Sequence, residues 1–270
     1  MIRRRLGRLV RTLGRWRPVP PAGAIVAICH CHHPDLVPEL CAALDRLPSD
    51  TPIHVTSSRP EVFERWRERD RRPAATAFHD TENRGRDLRP FFEVARRLDL
   101  PPETLVLKLH GKRSAYSAQG EGWRRALIGG LLPDRRSPRW VAARFRADAR
   151  LGMLGAPGSF LSHPVYWGED RATVARLMAR AFGAAPAEED LGFYAGSMFW
   201  IRADLLAALV PLVDLDAFEP EPLARDGTYA HALERLLPMA ARRMGWRLGE
   251  MDRAAALDPA AVRTRKIPYL

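Results

Sequence analysis

Residues 105–114 constrain the fold most, because a strand of buried type runs directly into a loop of polar groups. The strand is aliphatic apart from Lys108, and the loop carries a histidine, a glycine, two cations and a hydroxyl. In an open α/β sheet, ligands bind just outside the carboxyl ends of the strands. Arginine grips phosphate through paired hydrogen bonds and lysine as a point charge. We therefore predict that Lys108, His110, Lys112 and Arg113 face a phosphate or a diphosphate.

Two alternatives without a ligand stay open for this stretch. The loop is basic by chance in a chain with 43 lysine and arginine residues and a net charge of +11, or Lys108 is a buried structural cation. Lysine itself is rare, however, since only Lys108, Lys112 and Lys266 are lysine, and two of these three fall here. That concentration favours a functional loop.

Strands and helices alternate along the rest of the chain, which predicts an α/β fold with a mostly parallel sheet flanked by helices. Residues 24–29 and 53–56 have strand patterns, and a long helix opens near residue 227. No run of 18 apolar residues occurs, so no membrane-spanning helix is expected. The three cysteines are too few and too crowded for a disulfide framework, which indicates a reducing, cytoplasmic location.

A second candidate loop covers residues 83–92. Gly85 permits a tight turn, Asp87 is suited to cap the helix that follows, and Arg86 flanks the helix start. Exposed backbone N–H groups at a helix start bind anions. We predict an anion site here, although the capping role of Asp87 alone needs no ligand.

Two further segments are ambiguous. Gly196 precedes an aromatic run, which indicates either a backbone that approaches a ligand or an aromatic core strand, and Asp204 is predicted to cap the next helix. The cysteines and histidines of residues 29–33 are too close together for the usual zinc spacing. We therefore interpret that cluster as a strand-end loop with polar functions.

The first 21 residues stand apart from the remainder, and we divide the chain into a segment 1–21 and an α/β domain 22–270. Arginines surround apolar residues at helical spacing up to Trp16, which is typical of a helix on an anionic membrane surface. We expect residues 1–17 to place the protein peripherally on an inner membrane. A disordered arm, or a helix packed on the domain, is the alternative.

Five blocks together resemble the rhamnan synthesis protein F family of bacterial polysaccharide glycosyltransferases, over residues 25–245. They are His30 with residues 34–36, residues 83–91, residues 108–114 with 123–124, residues 196–200, and residues 226–235. His32 and His33 depart from the pattern, since the family has aromatic residues there. The resemblance implies a single-domain nucleotide-diphospho-sugar transferase (GT-A-like) fold. It also implies transfer of a sugar, L-rhamnose as the first candidate, from a nucleotide-sugar donor to a glycan or lipid-linked glycan acceptor.

The resemblance also implies roles for individual residues. Asp226 is the first candidate for the general base, with Glu221 and His231 as reserves, and His110 joins the catalytic group. The donor diphosphate is assigned to Lys108, Lys112, Arg113 and Arg86. Nucleotide or sugar contacts are assigned to His30, Asn83, Asp87, Gly196 and Ser197.

The metal requirement and the activity itself have alternatives. The Asp-x-Asp motif common in this fold is missing at the central strand end, so we expect cations to neutralise the leaving diphosphate, with Mg²⁺ or Mn²⁺ as the alternative cofactor. A non-catalytic nucleotide- or carbohydrate-binding partner in a polysaccharide assembly is the second hypothesis. Nucleic acid is not expected as a partner, because no recognisable binding module accompanies the basic charge.

Overall fold

The computed structural model describes residues 24–111, 120–222, 224, 226–252 and 257. Its centre is a seven-stranded sheet with the strand order β3-β2-β1-β4-β8-β5-β9. Helices flank this sheet, and β6 and β7 form a separate two-stranded antiparallel sheet. The predicted α/β class is confirmed, and the architecture is compatible with a single-domain GT-A-like fold.

The elements of the described residues have the following bounds. The strands are β1 (Ile25–His30), β2 (Ile53–Ser57), β3 (Thr76–Asp80), β4 (Leu105–His110), β5 (Leu151–Gly155), β6 (Phe160–Leu161), β7 (Phe193–Tyr194), β8 (Phe199–Arg202) and β9 (Arg247–Glu250). The α-helices are α1 (Val37–Leu44), α2 (Pro60–Arg67), α3 (Leu88–Ala95), α4 (Gly120–Leu131), α5 (Ser137–Ala147), α6 (Arg171–Phe182), α7 (Ala203–Leu209) and α8 (Tyr229–Arg243).

All strands of the main sheet run in one direction except β8, which is antiparallel to both β4 and β5. From β1 the chain adds β2 and then β3 on one side, and it later returns to add β4 on the other. The strand order therefore reverses between β1 and β4, which is where open α/β sheets bind ligands. His30 and His110 end these two strands as register partners.

Strand β4 is buried at every position, as expected of an inner strand with helices on the sheet. The same burial extends to Trp200 of β8, whose indole N–H donates to the carbonyl of Leu131 at 3.2 Å. These contacts tie α4 to the centre of the sheet.

Tyr194, in the aromatic run before β8, is buried in the hydrophobic core. Its ring lies across Gly155, so that a Cβ atom built there would be 2.1 Å from the ring. Its hydroxyl donates to the carbonyl of Gly249 at 2.8 Å, which joins β7 to β9. Close packing of this kind leaves no room for an added methyl group.

Some sequence expectations differ from the structure. The sequence patterns do not predict the strands β3 and β9. Helix α7 begins at Ala203 with Arg202 at the N-cap position, so the prediction that Asp204 caps this helix is wrong. The Asp204 carboxylate instead accepts from the N–H of Leu205. Among the residues that the structure describes, no helix is both long and apolar enough to cross a membrane.

We predict that Gly155→Ala lowers the free energy of unfolding by about 1–3 kcal/mol, because the Tyr194 ring must shift to admit the methyl group. Gly122→Ala is the matched control, since a Cβ atom there meets nothing within 4 Å. In a helix that control should be neutral or stabilising by up to about 1 kcal/mol. Urea denaturation measures both, and equal effects would contradict the packing argument.

Candidate functional site

The candidate site lies at the carboxyl ends of β1 and β4, where the sequence blocks meet. His30 ends β1, His110 ends β4, and Asp87 lies at the start of α3 between them in the chain. The turn at Gly196 enters β8, whose antiparallel direction brings that end to the same edge of the sheet. Segments that are far apart in sequence therefore form one site.

The Lys108 side chain is the centre of this site. It is 1% exposed, and its ammonium donates to a carboxylate oxygen of Asp87 and, at 2.7 Å, to the carbonyl of Ser197. The rings of Phe91 and Phe199 lie 5.5 and 5.8 Å from the nitrogen, close enough for cation–π attraction. A buried ammonium is costly unless it is paired, and these contacts provide the pairing. The contacts match the alternative of a buried structural cation, and the diphosphate role of Lys108 stays a prediction.

Asp87 occupies the N-cap position of α3, but its side chain makes no capping hydrogen bond. The expected capping role is wrong, because the carboxylate turns into the site toward Lys108. Burial acts to raise the pKa of Asp87, but the nearby side chains of His110 and Lys108 outweigh it and hold the pKa well below its ordinary value. Asp87 is therefore an anion at neutral pH.

The two strand-end histidines are both fixed by hydrogen bonds. The Nε2–H group of His110 donates to the carbonyl of Gly196 at 2.7 Å, and this nitrogen lies 3.7 Å from Asp87. His30 shares a 3.0 Å hydrogen bond with the hydroxyl of Thr56 on β2. Burial lowers the pKa of His30 to about 3, so its imidazole is neutral at pH 7.

Gly196 and Ser197 form a tight turn with φ values of 91° and 53°, in the left-handed region. Glu234 of α8 holds the turn, because its Oε1 accepts from the Gly196 N–H at 2.8 Å and from the Ser197 hydroxyl at 3.0 Å. Glu234 had no predicted role, although its spacing of three from His231 on one helix face is a signal that could have found it.

A second group of ionisable side chains lies beside this centre, at the start of α8. The hydroxyl of Thr228 caps α8 and contacts the His231 ring at 2.9 Å. Burial and the nearby Arg86 guanidinium lower the pKa of His231 from its ordinary value. Arg86 itself is exposed and donates to the carbonyl of Ala224 at 2.9 Å.

The Arg235 guanidinium lies close to two carboxylates of this second group. It is 2.8 Å from the fully buried Asp170 and 3.7 Å from Asp226. Burial, opposed by Arg235 and reinforced by a hydrogen bond with Asp226, raises the pKa of Asp170 to about 7. For Asp226, burial is outweighed by the Glu169 N–H group, Asp170 and Arg235, which lower its pKa. At pH 7 Asp170 is therefore partly protonated, while Asp226 is ionised.

The other predicted residues divide into two sets. Asn83 and Glu221 are neighbours, because the Glu221 N–H donates to the Asn83 carbonyl at 3.4 Å. Lys112, Arg113 and the segment 1–21 lie outside the described residues, so their roles stay predictions. Asp170 is distant in the sequence from every block that resembles the family, and no signal in the sequence points to it.

The side chains of the site include few that could bind a metal ion. Within the described ranges, no three side chains of histidine, cysteine, aspartate or glutamate come together in a way that could hold a metal ion. The most central carboxylate, Asp87, is bound to Lys108. The described residues therefore do not fit a Mg²⁺ or Mn²⁺ site.

The family model of rhamnan synthesis protein F matches residues 17–245. The chain belongs to this family. It is also 32% identical over 234 residues to the proteins named "uncharacterized protein WxcX" from two strains of Xanthomonas campestris pv. campestris. No solved structure gave a significant match.

The family is named for rhamnan synthesis. The match to the Xanthomonas proteins covers 85% of this chain but 33% of each relative. The chain therefore spans about one third of the length of these relatives.

We predict that Lys108→Met and Asp87→Asn each lower the free energy of unfolding, the former by about 3–5 kcal/mol because it leaves a buried carboxylate without its ammonium. The double variant should cost less than the sum of the two single variants, because the partners are removed together. Urea denaturation of all three measures this coupling.

Arg125→Met provides the control, since the Arg125–Glu121 pair is 66% and 71% exposed. It should change stability by less than about 1 kcal/mol. Additive effects of the two buried substitutions would contradict the pairing.

Proposed function

We propose that this chain is a glycosyltransferase domain that moves a sugar from a nucleotide-diphospho-sugar to a growing cell-surface polysaccharide, with L-rhamnose as the first donor sugar to test. The observation that carries this proposal is the meeting of the family's sequence blocks at the edge where the strand order reverses. Lys108, Asp87, His110 and the Gly196–Ser197 turn contact one another there. That edge is the ligand-binding position of open α/β sheets.

In this proposal the donor diphosphate lies over the ends of β1 and β4. The charge that develops on the leaving diphosphate is stabilised by preorganised cations and N–H donors, usually the largest contribution to catalysis. Among the described residues assigned to the diphosphate, Arg86 is the exposed cation. Lys112 and Arg113 follow the end of β4 in the sequence. Lys108 adds positive charge from beneath, while Asp87 and Ser197 hold it in place.

The acceptor hydroxyl needs a base, and the start of α8 offers two groups of suitable protonation state. Asp226 is ionised at neutral pH because its pKa is lowered, and its side chain is 38% exposed. His231 is neutral at pH 7 because its pKa is also lowered. We assign the base to Asp226 and keep His231 and Glu221 as reserves. Asp170, whose pKa is raised to about 7, lies beside Asp226, and Arg235 contacts both carboxylates.

A panel of nucleotide-diphospho-sugars, scored for nucleotide release in the presence of a glycan acceptor, tests the proposal. We expect release from one donor, reduced about 10²–10³-fold in His110→Ala and in Lys112→Ala, because each removes a group near the developing charge. Arg176→Gln, an exposed change on α6, should leave release unchanged.

Thermal-shift measurements with the same donors distinguish a chain that binds no donor from one that binds a donor without releasing nucleotide. A donor at 100 times its dissociation constant stabilises the protein by about 2.7 kcal/mol. Neither release nor stabilisation with any donor would contradict the proposal. Stabilisation without release, with every acceptor tried, would favour a non-catalytic nucleotide- or carbohydrate-binding partner. The one-third coverage of the relatives supports that second candidate, because the remaining two thirds of those proteins could hold a separate catalytic domain.

We predict that Asp226→Asn lowers turnover about 10²–10⁴-fold, the range of general-base catalysis, while the donor dissociation constant changes little. The amide keeps the size of the side chain but accepts a proton poorly. Asp216→Asn, an exposed change before α8, is the matched control and should leave turnover intact. Steady-state kinetics and a donor titration measure both quantities. Loss of donor binding in Asp226→Asn would refute the role as base.

A further inference from the structure

A basic groove lies on the side of the domain opposite the candidate site. Its walls include the connections that lead from α1 into β2 and from α2 into β3, so it lies at the amino ends of these strands. The connection between α4 and α5 closes it, held by a hydrogen bond from Arg46 to the carbonyl of Leu132. The charged residues of the groove are Asp45, Arg46, Arg71, Arg72, Arg135 and Arg139.

The charges of this groove are unbalanced, with five guanidinium groups and one carboxylate. Two arginines have structural roles, since Arg46 bonds the backbone of Leu132 and Arg72 bonds the carbonyl of Pro48 and the carboxylate of Asp45. The other three, Arg71, Arg135 and Arg139, are exposed, and the Arg71 guanidinium also lies 3.5 Å from the Asp45 carboxylate. Three exposed guanidinium groups around one concave surface suit a ligand with several phosphates.

An exposed tryptophan adjoins the groove. Trp140 follows Arg139 on α5, is 39% exposed, and packs against the guanidinium of Arg144 at 5.3 Å. Large exposed apolar side chains are scarce in the part of the chain that the structure describes, where Val165 is the other example. Tryptophan is enriched where lipid headgroups meet the acyl region, because its ring is apolar and its N–H group is polar.

We propose that the amino edge of the sheet is a membrane-docking surface, in which the groove arginines bind the phosphates of anionic lipid headgroups and Trp140 enters the interface. The proposal is independent of the catalytic assignment. It fixes the orientation of the domain on the membrane, with the carboxyl edge and the candidate site facing away from the bilayer.

Vesicle flotation with the full-length chain tests this surface. Vesicles of phosphatidylcholine alone are compared with equimolar phosphatidylcholine and phosphatidylglycerol. We expect binding to the anionic vesicles, weakened about 100-fold in the triple variant Arg71→Gln, Arg135→Gln and Arg139→Gln, since each cation near an anionic leaflet contributes about a factor of five. Trp140→Ala should weaken binding further without changing the net charge.

The matched control removes three exposed arginines from the first halves of α4 and α6, away from the amino edge, as Arg125→Gln, Arg171→Gln and Arg176→Gln. It should bind the anionic vesicles within a few-fold of the unaltered chain, and circular dichroism checks that both triple variants are folded. An equal loss in the two triple variants would overturn the proposal in favour of unspecific charge attraction. It would equally be overturned by pyrophosphate or duplex DNA that binds the groove and displaces the vesicles at micromolar concentration.

Discussion

The buried ammonium of Lys108 is the interaction on which the rest of the candidate site depends. An ammonium ion in the interior must have close anionic or carbonyl partners, since moving an unpaired charge out of water costs several kcal/mol. Asp87 and the Ser197 carbonyl meet that requirement, and each belongs to a different loop. The ion therefore brings the loop after β3 and the turn before β8 to the end of β4. Because Gly196 and Ser197 have positive φ, the turn also needs external support, which Glu234 supplies from α8.

The same chain of contacts sets the protonation states at the neighbouring carboxylates. Glu234 precedes Arg235 on α8, so the helix that supports the turn also carries the guanidinium between Asp170 and Asp226. Two carboxylates that share one guanidinium cannot both be ionised cheaply when one is fully buried. Burial raises the pKa of Asp170 to about 7, so Asp170 is the one that takes up a proton near neutral pH, while Asp226, which reaches solvent, stays ionised. An ionised carboxylate is thereby positioned at the rim without a metal or a second cation.

The sequence patterns allowed much of the sheet to be predicted, and the reasons for the omissions are physical. Strand β4 was predicted from its aliphatic run, because inner parallel strands are buried on both faces. Strand β3 was missed because it lies at the edge of the sheet, where its residues are half-buried and carry no apolar pattern. Asp87 was assigned to a helix cap by local propensity, whereas its partner is 21 residues away in the chain. Such long-range pairings cannot be derived from spacing. The role of Asp170 depends on two residues more than 50 positions distant, and the same limit applies to it.

The proposed docking surface and the candidate site lie at opposite edges of the sheet, and this distance limits which acceptors reach the site. Strand β4 has six residues, and at about 3.3 Å per residue its ends are about 20 Å apart. With the amino edge on a bilayer, the carboxyl edge and its candidate site lie at least that far from the headgroups. A sugar attached directly to a membrane lipid would not reach the site without crossing the thickness of the domain. The outer end of an already extended glycan would reach it, because each added sugar moves that end farther from the lipid. For the proposed transferase, the proposed orientation therefore favours chain elongation over the first transfer to a lipid, because the length of the strands separates the site from the bilayer.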